Sequence, residues 1–313
     1  MRRATLSLMH VLIPHALSED EAARCALRGL DLPRLAALLP AMAAQTLLQL
    51  PGHSPTSAHE QLLAAAHGLD PQAPAWAALR AHELQLPGAS TEAWAYLTPA
   101  HWEIGQARVS LGDPRTLDLR EDEARALLAA MQPYFAGDGL TLQYEQPLRW
   151  LVSGEPLRGI VSAAPERVIG RDVAPWLPAS PLLRRLQSEM QMLLYTLAVS
   201  DARAARGALA VNSFWLSGCG ALAAPPAASA APVLLDDLTR PCVSGDWSGW
   251  ALAWRAVDAQ LGPIQAALDA GQHVTLTLCS ELIARRYTPA PRRAWQRLQR
   301  FRPQELSDIL VAS

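Results

Sequence analysis

Short apolar runs and helix-length stripes alternate along this chain. Residues Thr5 to Ile13 (TLSLMHVLI) form an apolar run with β-branched members that stops at Pro14, the pattern of a buried first strand. From Glu19 to about Ala81 the composition is rich in Ala and Leu. Pro33, Pro40, Pro51, Pro55, Pro71 and Pro74 interrupt it, which predicts short helices with proline-limited ends. From Trp94 to Pro165 the pattern changes. Ala107 to Leu111 suits a strand, and Leu119 to Met131 suits a helix whose first turn carries Glu121, Asp122 and Glu123, where carboxylates favour the helix dipole. After Gly137-Asp138-Gly139, the runs Leu140 to Glu145 and Arg149 to Val152 flank Gln146-Pro147 as a hairpin.

The next strong element is a helix from Pro181 to Leu197, with Ser180 as N-cap and Leu183, Leu186, Met190, Leu193, Leu194 and Leu197 on one face. Met190 and Met192 are read as core fillers rather than a binding surface. A strand then runs to Ser217 and ends in the glycine-bounded turn Gly218-Cys219-Gly220, and Ala221 to Pro232 reads as a low-complexity surface loop. Trp247 to Leu268 is helical, His273 to Cys279 alternates as a strand, and helices over 291–301 and 303–311 close the chain. The order of helix and strand in this half predicts an α/β sheet with crossovers.

Composition narrows the function classes. With 313 residues, half of them apolar and 18% charged, the chain is globular, with one large domain or two modest ones. The net charge of −2 offers no electrostatic case for nucleic acid. All 27 basic residues are Arg, which reads as genomic codon bias more than as a site. Cys25, Cys219, Cys242 and Cys279 form no C-x-x-C pair, and reduced thiols in a cytoplasmic setting are expected. Neither a signal peptide nor a membrane span is written in the sequence.

No catalytic constellation is complete. A chain without Lys has no Walker A, and G-x-G-x-x-G is missing. Seven histidines, from His10 to His101, fall in the first third without a metal-ligand spacing and read as isolated residues; the eighth is His273. Cys219 between two glycines is a nucleophile only if a base adjoins it, and a packed small residue is the stronger reading. Trp247, Trp250 and Trp254 read as a core stripe rather than a base-stacking platform. Strand ends followed by small residues are where open α/β sheets bind ligands. The residues expected to line such a site are Arg171, Asp172, Arg203, Asn212, Ser217, Gly218, Gly220 and Glu281.

Several segments carry a family resemblance: Val168-Ile169-Gly170-Arg171-Asp172, Trp176-Leu177-Pro178, Glu189 to Leu194, and Asn212-Ser213-Phe214-Trp215-Leu216-Ser217-Gly218. With patches at Pro99-Ala100-His101-Trp102, Asp138-Gly139 and Val274 to Cys279, the chain resembles the proteobacterial RpfE-type regulatory proteins, often labelled phosphoglycerate mutase-like. Through Val199, Arg203, Gly207, Asn212, Gly218 and Gly220 it is distantly similar to archaeal-type cofactor-independent phosphoglycerate mutases of the alkaline phosphatase superfamily.

The resemblance implies an α/β fold with an alkaline phosphatase-like central sheet flanked by helices and a small inserted α+β subdomain. The corresponding division is 1–93, 94–165 and 166–313. Departures accompany the likeness: Ser200 replaces an Asn, Leu197-Ala198 stand where His-Pro is usual, and the first strand runs into Pro14-His15 instead of Asp-Gly. The family's two-metal ligand set is therefore not expected, and no cofactor is expected. Three readings stand: a regulatory or ligand-sensing protein on a degenerate scaffold, a metal-independent enzyme acting on a small anionic metabolite, or an interaction module. The expected partner is a small anion or a protein, with neither nucleic acid nor membrane.

Overall fold

The computed structural model describes residues 9–224, 231–290 and 303–311. The chain divides into two compact units, Met1–Ala66 with Ser229–Ser313, and His67–Ala228. Elements are numbered in chain order. No helix among the described residues is long and apolar enough to cross a membrane.

The first unit contains β1 (Met9–Ile13), α1 (Glu21–Leu27), α2 (Pro33–Leu38), β2 (Met42–Gln49) and α3 (Ala58–Ala66). After the second unit it resumes with β9 (Val233–Leu234), α8 (Thr239–Val243), α9 (Trp247–Gln260), α10 (Gly262–Asp269), β10 (Val274–Cys279), β11 (Ile283–Pro289) and α11 (Pro303–Leu310). Its sheet runs β2-β11-β10-β1-β9. β1 lies parallel to β10 and β9, while β11 is antiparallel to β10 and to β2. All six residues of β10 are buried: Val274, Leu276 and Leu278 enter the core on one face, and Thr275, Thr277 and Cys279 alternate with them on the other. Trp250 and Trp254 of α9 pack into the core beside Val11, Ile13 and Leu276, so the tryptophan stripe is a core stripe as expected. Pro263 ends the predicted 247–268 helix early and starts α10.

Two strands here depart from the expected pattern. Met42–Gln49 is made of helix-compatible residues, yet it pairs with β11 from Met42↔Pro289 to Gln49↔Ile283. Pro40 and Pro51 bracket it, so a helix could span only about two turns, too short to be stable by itself. A waiting strand partner decides the conformation. β11 (IARRYTP) was hidden by its two adjacent arginines. The expected helix over 291–301 lies outside the described residues.

The second unit holds α4 (Trp76–Glu83), β3 (Trp94–Ala100), β4 (Trp102–Ile104), β5 (Val109–Leu111), α5 (Glu121–Gly137), β6 (Thr141–Gln146), β7 (Arg149–Ser153), α6 (Pro181–Tyr195), α7 (Ala198–Ala205) and β8 (Ser213–Gly220). Its sheet, β6-β7-β3-β8, is antiparallel throughout. Alternation splits the side chains. Ala95, Leu97, Trp150 and Val152 pack with Leu127, Met131 and Phe135 of α5 and with Leu186 and Met190 of α6. Trp94 and Leu151 point the other way and pack with Ala77, Ala78 and Ala81 of α4. Ser180 caps α6 as expected, its Oγ accepting the Leu183 N–H at 3.3 Å. Met190 is core, but Met192 is 76% exposed, contrary to its reading as a core filler.

The hairpin β6-β7 closes at Gln146↔Arg149, as the sequence predicts. β3, which the sequence did not reveal, carries Pro99 inside it. β7 pairs only with residues 94–97, so Pro99 sits where β3 has a single neighbour, β8. Because β8 completes the same sheet as β3, β6 and β7, the compact unit extends well beyond 94–165, the insertion expected from sequence.

Candidate functional site

The glycine turn expected after Ser217 is a bulge inside a strand. β8 continues to Gly220, and between the pairs Ser217↔Tyr96 and Gly220↔Trp94 two residues of β8, Gly218 and Cys219, face one of β3, Ala95, so β8 carries an extra residue. Gly218 takes φ +59 and Gly220 φ +142. A Cβ on Gly218 would lie 3.0 Å from Trp76 Cβ and 3.3 Å from the Ala77 nitrogen, and one on Gly220 would lie 3.0 Å from Ala75 Cβ. These glycines let α4 and its entry approach the strand; they do not wall a ligand site. Cys219 is buried between them, and burial pushes its thiol up to about 11, which fits a packed residue and not a nucleophile.

The polar residues expected beside this turn are spent within the fold. Arg203 is buried, with Nη1 on Glu123, Nη2 on the Leu117 carbonyl (2.6 Å) and Nε on the Leu209 carbonyl (3.1 Å). Asn212 clamps one backbone unit: its Oδ1 accepts the Trp102 N–H at 2.7 Å and its Nδ2 donates to the Trp102 carbonyl at 2.9 Å. Ser217 is buried within β8. Asp172 accepts the Ala174 N–H at 3.3 Å in a local turn, and Arg171 donates to the Arg167 carbonyl at 3.1 Å. Each of Arg171, Asp172, Arg203 and Asn212 thus makes hydrogen bonds within the fold. Glu281 belongs to the first unit, where its carbonyl accepts the Ala58 N–H at 2.9 Å.

That last contact marks a different cluster, at the carboxyl ends of the parallel strands β1 and β10, where ligands bind in open α/β sheets. Beyond Ile13 the chain passes Pro14 into His15, a buried residue at φ +52. The Trp250 Nε1–H donates to the His15 carbonyl at 2.8 Å, and the Leu17 N–H donates to the Cys279 carbonyl at 3.1 Å, which tie down the loop after β1. After β10, the Ser280 Oγ accepts the Leu282 and Ile283 N–H groups and tightens the turn into β11.

Helix α3 begins at the same edge. Its cap follows from the sequence Ser57-Ala58-His59-Glu60, a capping box: the Ser57 N–H donates to Glu60 Oε2 at 3.3 Å, and the Glu60 N–H reaches Ser57 Oγ at 3.4 Å. The first turn carries His59, whose Nδ1 lies 3.0 Å from Ser57 Oγ and whose ring centroid lies 5.4 Å from that of His15, inclined at 60°. Burial, reinforced by the neighbouring His15, lowers the His59 pKa to about 3. It is a neutral imidazole at physiological pH.

Chemically, the arrangement is restrictive. A base whose conjugate acid has a pKa near 3 is poorly matched to activating a serine at neutral pH. An anion at the start of α3 would need open N–H groups, and Glu60, the Glu281 carbonyl and Ser57 already take those of Ser57, Ala58 and Glu60, two of the three in the first turn. Among the described residues no group of three or more His, Cys, Asp or Glu side chains gathers where a metal ion could sit. Two imidazoles fall short of the oxygen-rich donor sets that a two-metal centre requires. By spacing alone His15 and His59 are isolated; the S-x-x-E cap of Ser57 to Glu60 with a histidine inside it is the available signal.

No protein-family model and no curated protein sequence matches the chain. Among solved structures it is similar to the PH0037 protein from Pyrococcus horikoshii. That likeness covers 97% of this chain and 93% of the other, with 10% identity and a TM-score of 0.50. At that identity the two share a fold and nothing more is implied. A cofactor-independent phosphoglycerate mutase from Thermoplasma acidophilum DSM 1728 covers 97% of this chain and 98% of its own at 14% identity. Its TM-score of 0.38 is too low to carry an argument. The expected α/β class, a central mixed sheet flanked by helices, is what the chain adopts.

Proposed function

We propose that this protein is a regulatory or ligand-sensing member of the RpfE-type, phosphoglycerate mutase-like group, acting in the cytoplasm on a scaffold that no longer performs two-metal phosphoryl transfer. The observation that carries this reading is the start of α3, where the protein's own groups take most of the N–H donors. The N–H groups of Ser57, Ala58 and Glu60 around that start are bonded to the Glu60 carboxylate, the Glu281 carbonyl and Ser57 Oγ, which leaves the His59 N–H as the one first-turn donor with no acceptor among the described residues. A carboxylate already in that position repels a second anion. Purified full-length protein incubated with Mn²⁺ and 3-phosphoglycerate should show no turnover and no stoichiometric metal by mass spectrometry. Turnover together with bound metal overturns the proposal.

A second reading rests on the 3.0 Å contact between Ser57 Oγ and His59 Nδ1: a metal-independent hydrolase or isomerase acting on a small anionic metabolite. The depressed basicity of His59 weighs against it. A fluorophosphonate probe separates the two. Labelling of Ser57 that is lost in His59→Gln supports the enzyme, and no labelling supports the sensor.

A further inference from the structure

Helix α9 shows two stripes. Trp250, Trp254 and Val257 are buried, while Ser248, Ala251, Leu252 and Arg255 follow the i, i+3, i+4, i+7 spacing of another face. That second face borders a cavity of about 310 Å³ that is also lined by Ala26, Arg28, Gly29 and Leu30, at and just beyond the end of α1. The shape of this segment is set locally. Arg28 caps α1 with extended backbone and donates its N–H to the Cys25 carbonyl at 3.2 Å, and Gly29 at φ +75 then reverses the chain. Gly29 leaves open space where a Cβ would stand.

Two exposed guanidinium groups, Arg28 and Arg255, therefore line one concavity. Neither forms an ion pair with any described residue, although arginines elsewhere in the protein commonly do, as Arg24 does with Glu21 and Arg149 with Glu145. The carboxylate one turn along from Arg255 is committed elsewhere: Asp258 accepts the Leu35 N–H at 2.8 Å and the Arg34 N–H at 3.3 Å, capping α2. Leu252, 64% exposed, adds an apolar wall beside the two charges. The volume is at the small end of organic-ligand sites.

We infer that the cleft between the end of α1 and the Ser248–Arg255 face of α9 binds a small organic oxyanion. Its phosphate or carboxylate group is held by Arg28 and Arg255, and its apolar body lies on Ala251 and Leu252. Unpaired guanidinium groups make charge-assisted, bidentate bonds to such anions, and an apolar surface beside them selects an organic ligand over a bare ion. No residue of this cleft belongs to the cluster at the ends of β1 and β10.

The test is calorimetric titration of the full-length protein with phenyl phosphate, benzoate and inorganic phosphate. At least one aromatic anion should bind more tightly than inorganic phosphate, and the tighter of the two identifies the head group. Arg28→Gln and Arg255→Gln should each weaken binding about tenfold, and Leu252→Ser should remove the advantage of the aromatic ligand. Both arginines are exposed, so the unliganded variants should melt at the wild-type temperature. The inference fails if neither aromatic anion gives saturable heat up to about 10 mM, or if the double variant Arg28→Gln/Arg255→Gln binds as the wild type does.

Discussion

Arg203 and Glu123 form an ion pair inside the second unit, with Arg203 inaccessible to solvent and its remaining donors on the Leu117 and Leu209 carbonyls. The pair ties α7 to the first turn of α5, where Glu123, one of the three acidic residues that open the helix, is buried. Breaking a buried pair from one side leaves the other charge uncompensated. Arg203→Ala should therefore destabilise the protein by about 3–5 kcal/mol in urea unfolding. A ligand-binding arginine would instead be replaceable with little loss of stability.

Burial opposes ionisation of Glu123, but the Arg120 N–H, the Arg206 hydrogen bond and the charges of Arg203 and Arg206 outweigh it and hold the pKa below the usual carboxylate value. A depressed carboxylate pKa means that the folded state binds its proton less readily than the unfolded chain. The stabilisation is thus complete above the unfolded pKa and is lost as pH falls through the folded one. The wild type should lose stability in acid more steeply than Glu123→Gln, read as the difference in urea midpoint between pH 6 and about pH 3.

Gly218 should not tolerate a side chain. In Gly218→Ala, the methyl group would crowd Trp76, Tyr96 and the Ala77 nitrogen while the backbone stays at φ +59. A loss of about 1–3 kcal/mol is expected from the left-handed conformation and the overpacking together. Gly29→Ala, also at positive φ but with open space around it, should cost less, and thermal denaturation of the two variants compares them directly.

His59 should remain neutral throughout the range in which free histidine titrates. With its pKa lowered to about 3 by burial and by His15, its ring resonances should not shift between pH 8 and pH 5 in an NMR titration. The unfolded chain takes up a proton near pH 6.5 that the folded state refuses. The protein should therefore weaken as pH falls from there toward 3. His59→Gln should flatten that part of the stability profile.

Thiol chemistry should follow burial. Burial raises Cys219 to about 11 and Cys279 to about 12, while Cys25 is exposed. Cys25 should react with a disulfide reagent in the native protein, and Cys219 and Cys279 only after denaturation.

Local pattern was sufficient for much of this molecule. The acidic first turn of α5, Ser180 before Pro181 in α6, the tryptophan stripe of α9 and the β-branched run of β10 each state in a few residues which face must be buried and where the element starts. Burial demand and capping are local properties. The α/β class followed from them.

Strand pairing is not local. Met42–Gln49 became a strand because β11 offered a ladder, and Trp94–Ala100 because β8 did. The Gly218-Cys219-Gly220 stretch proved to be a bulge because a helix from an earlier segment presses on it. The same distinction governs the sites. The sequence by itself determined that arginines, histidines and a glycine-rich strand end were present. Only the tertiary structure decided that Arg203 and Asn212 satisfy backbone and carboxylate groups within the fold, and that His15 and His59 meet at the ends of β1 and β10. A side chain's chemistry depends on its hydrogen-bond partners and on its removal from water, and the chain supplies both from segments remote in sequence.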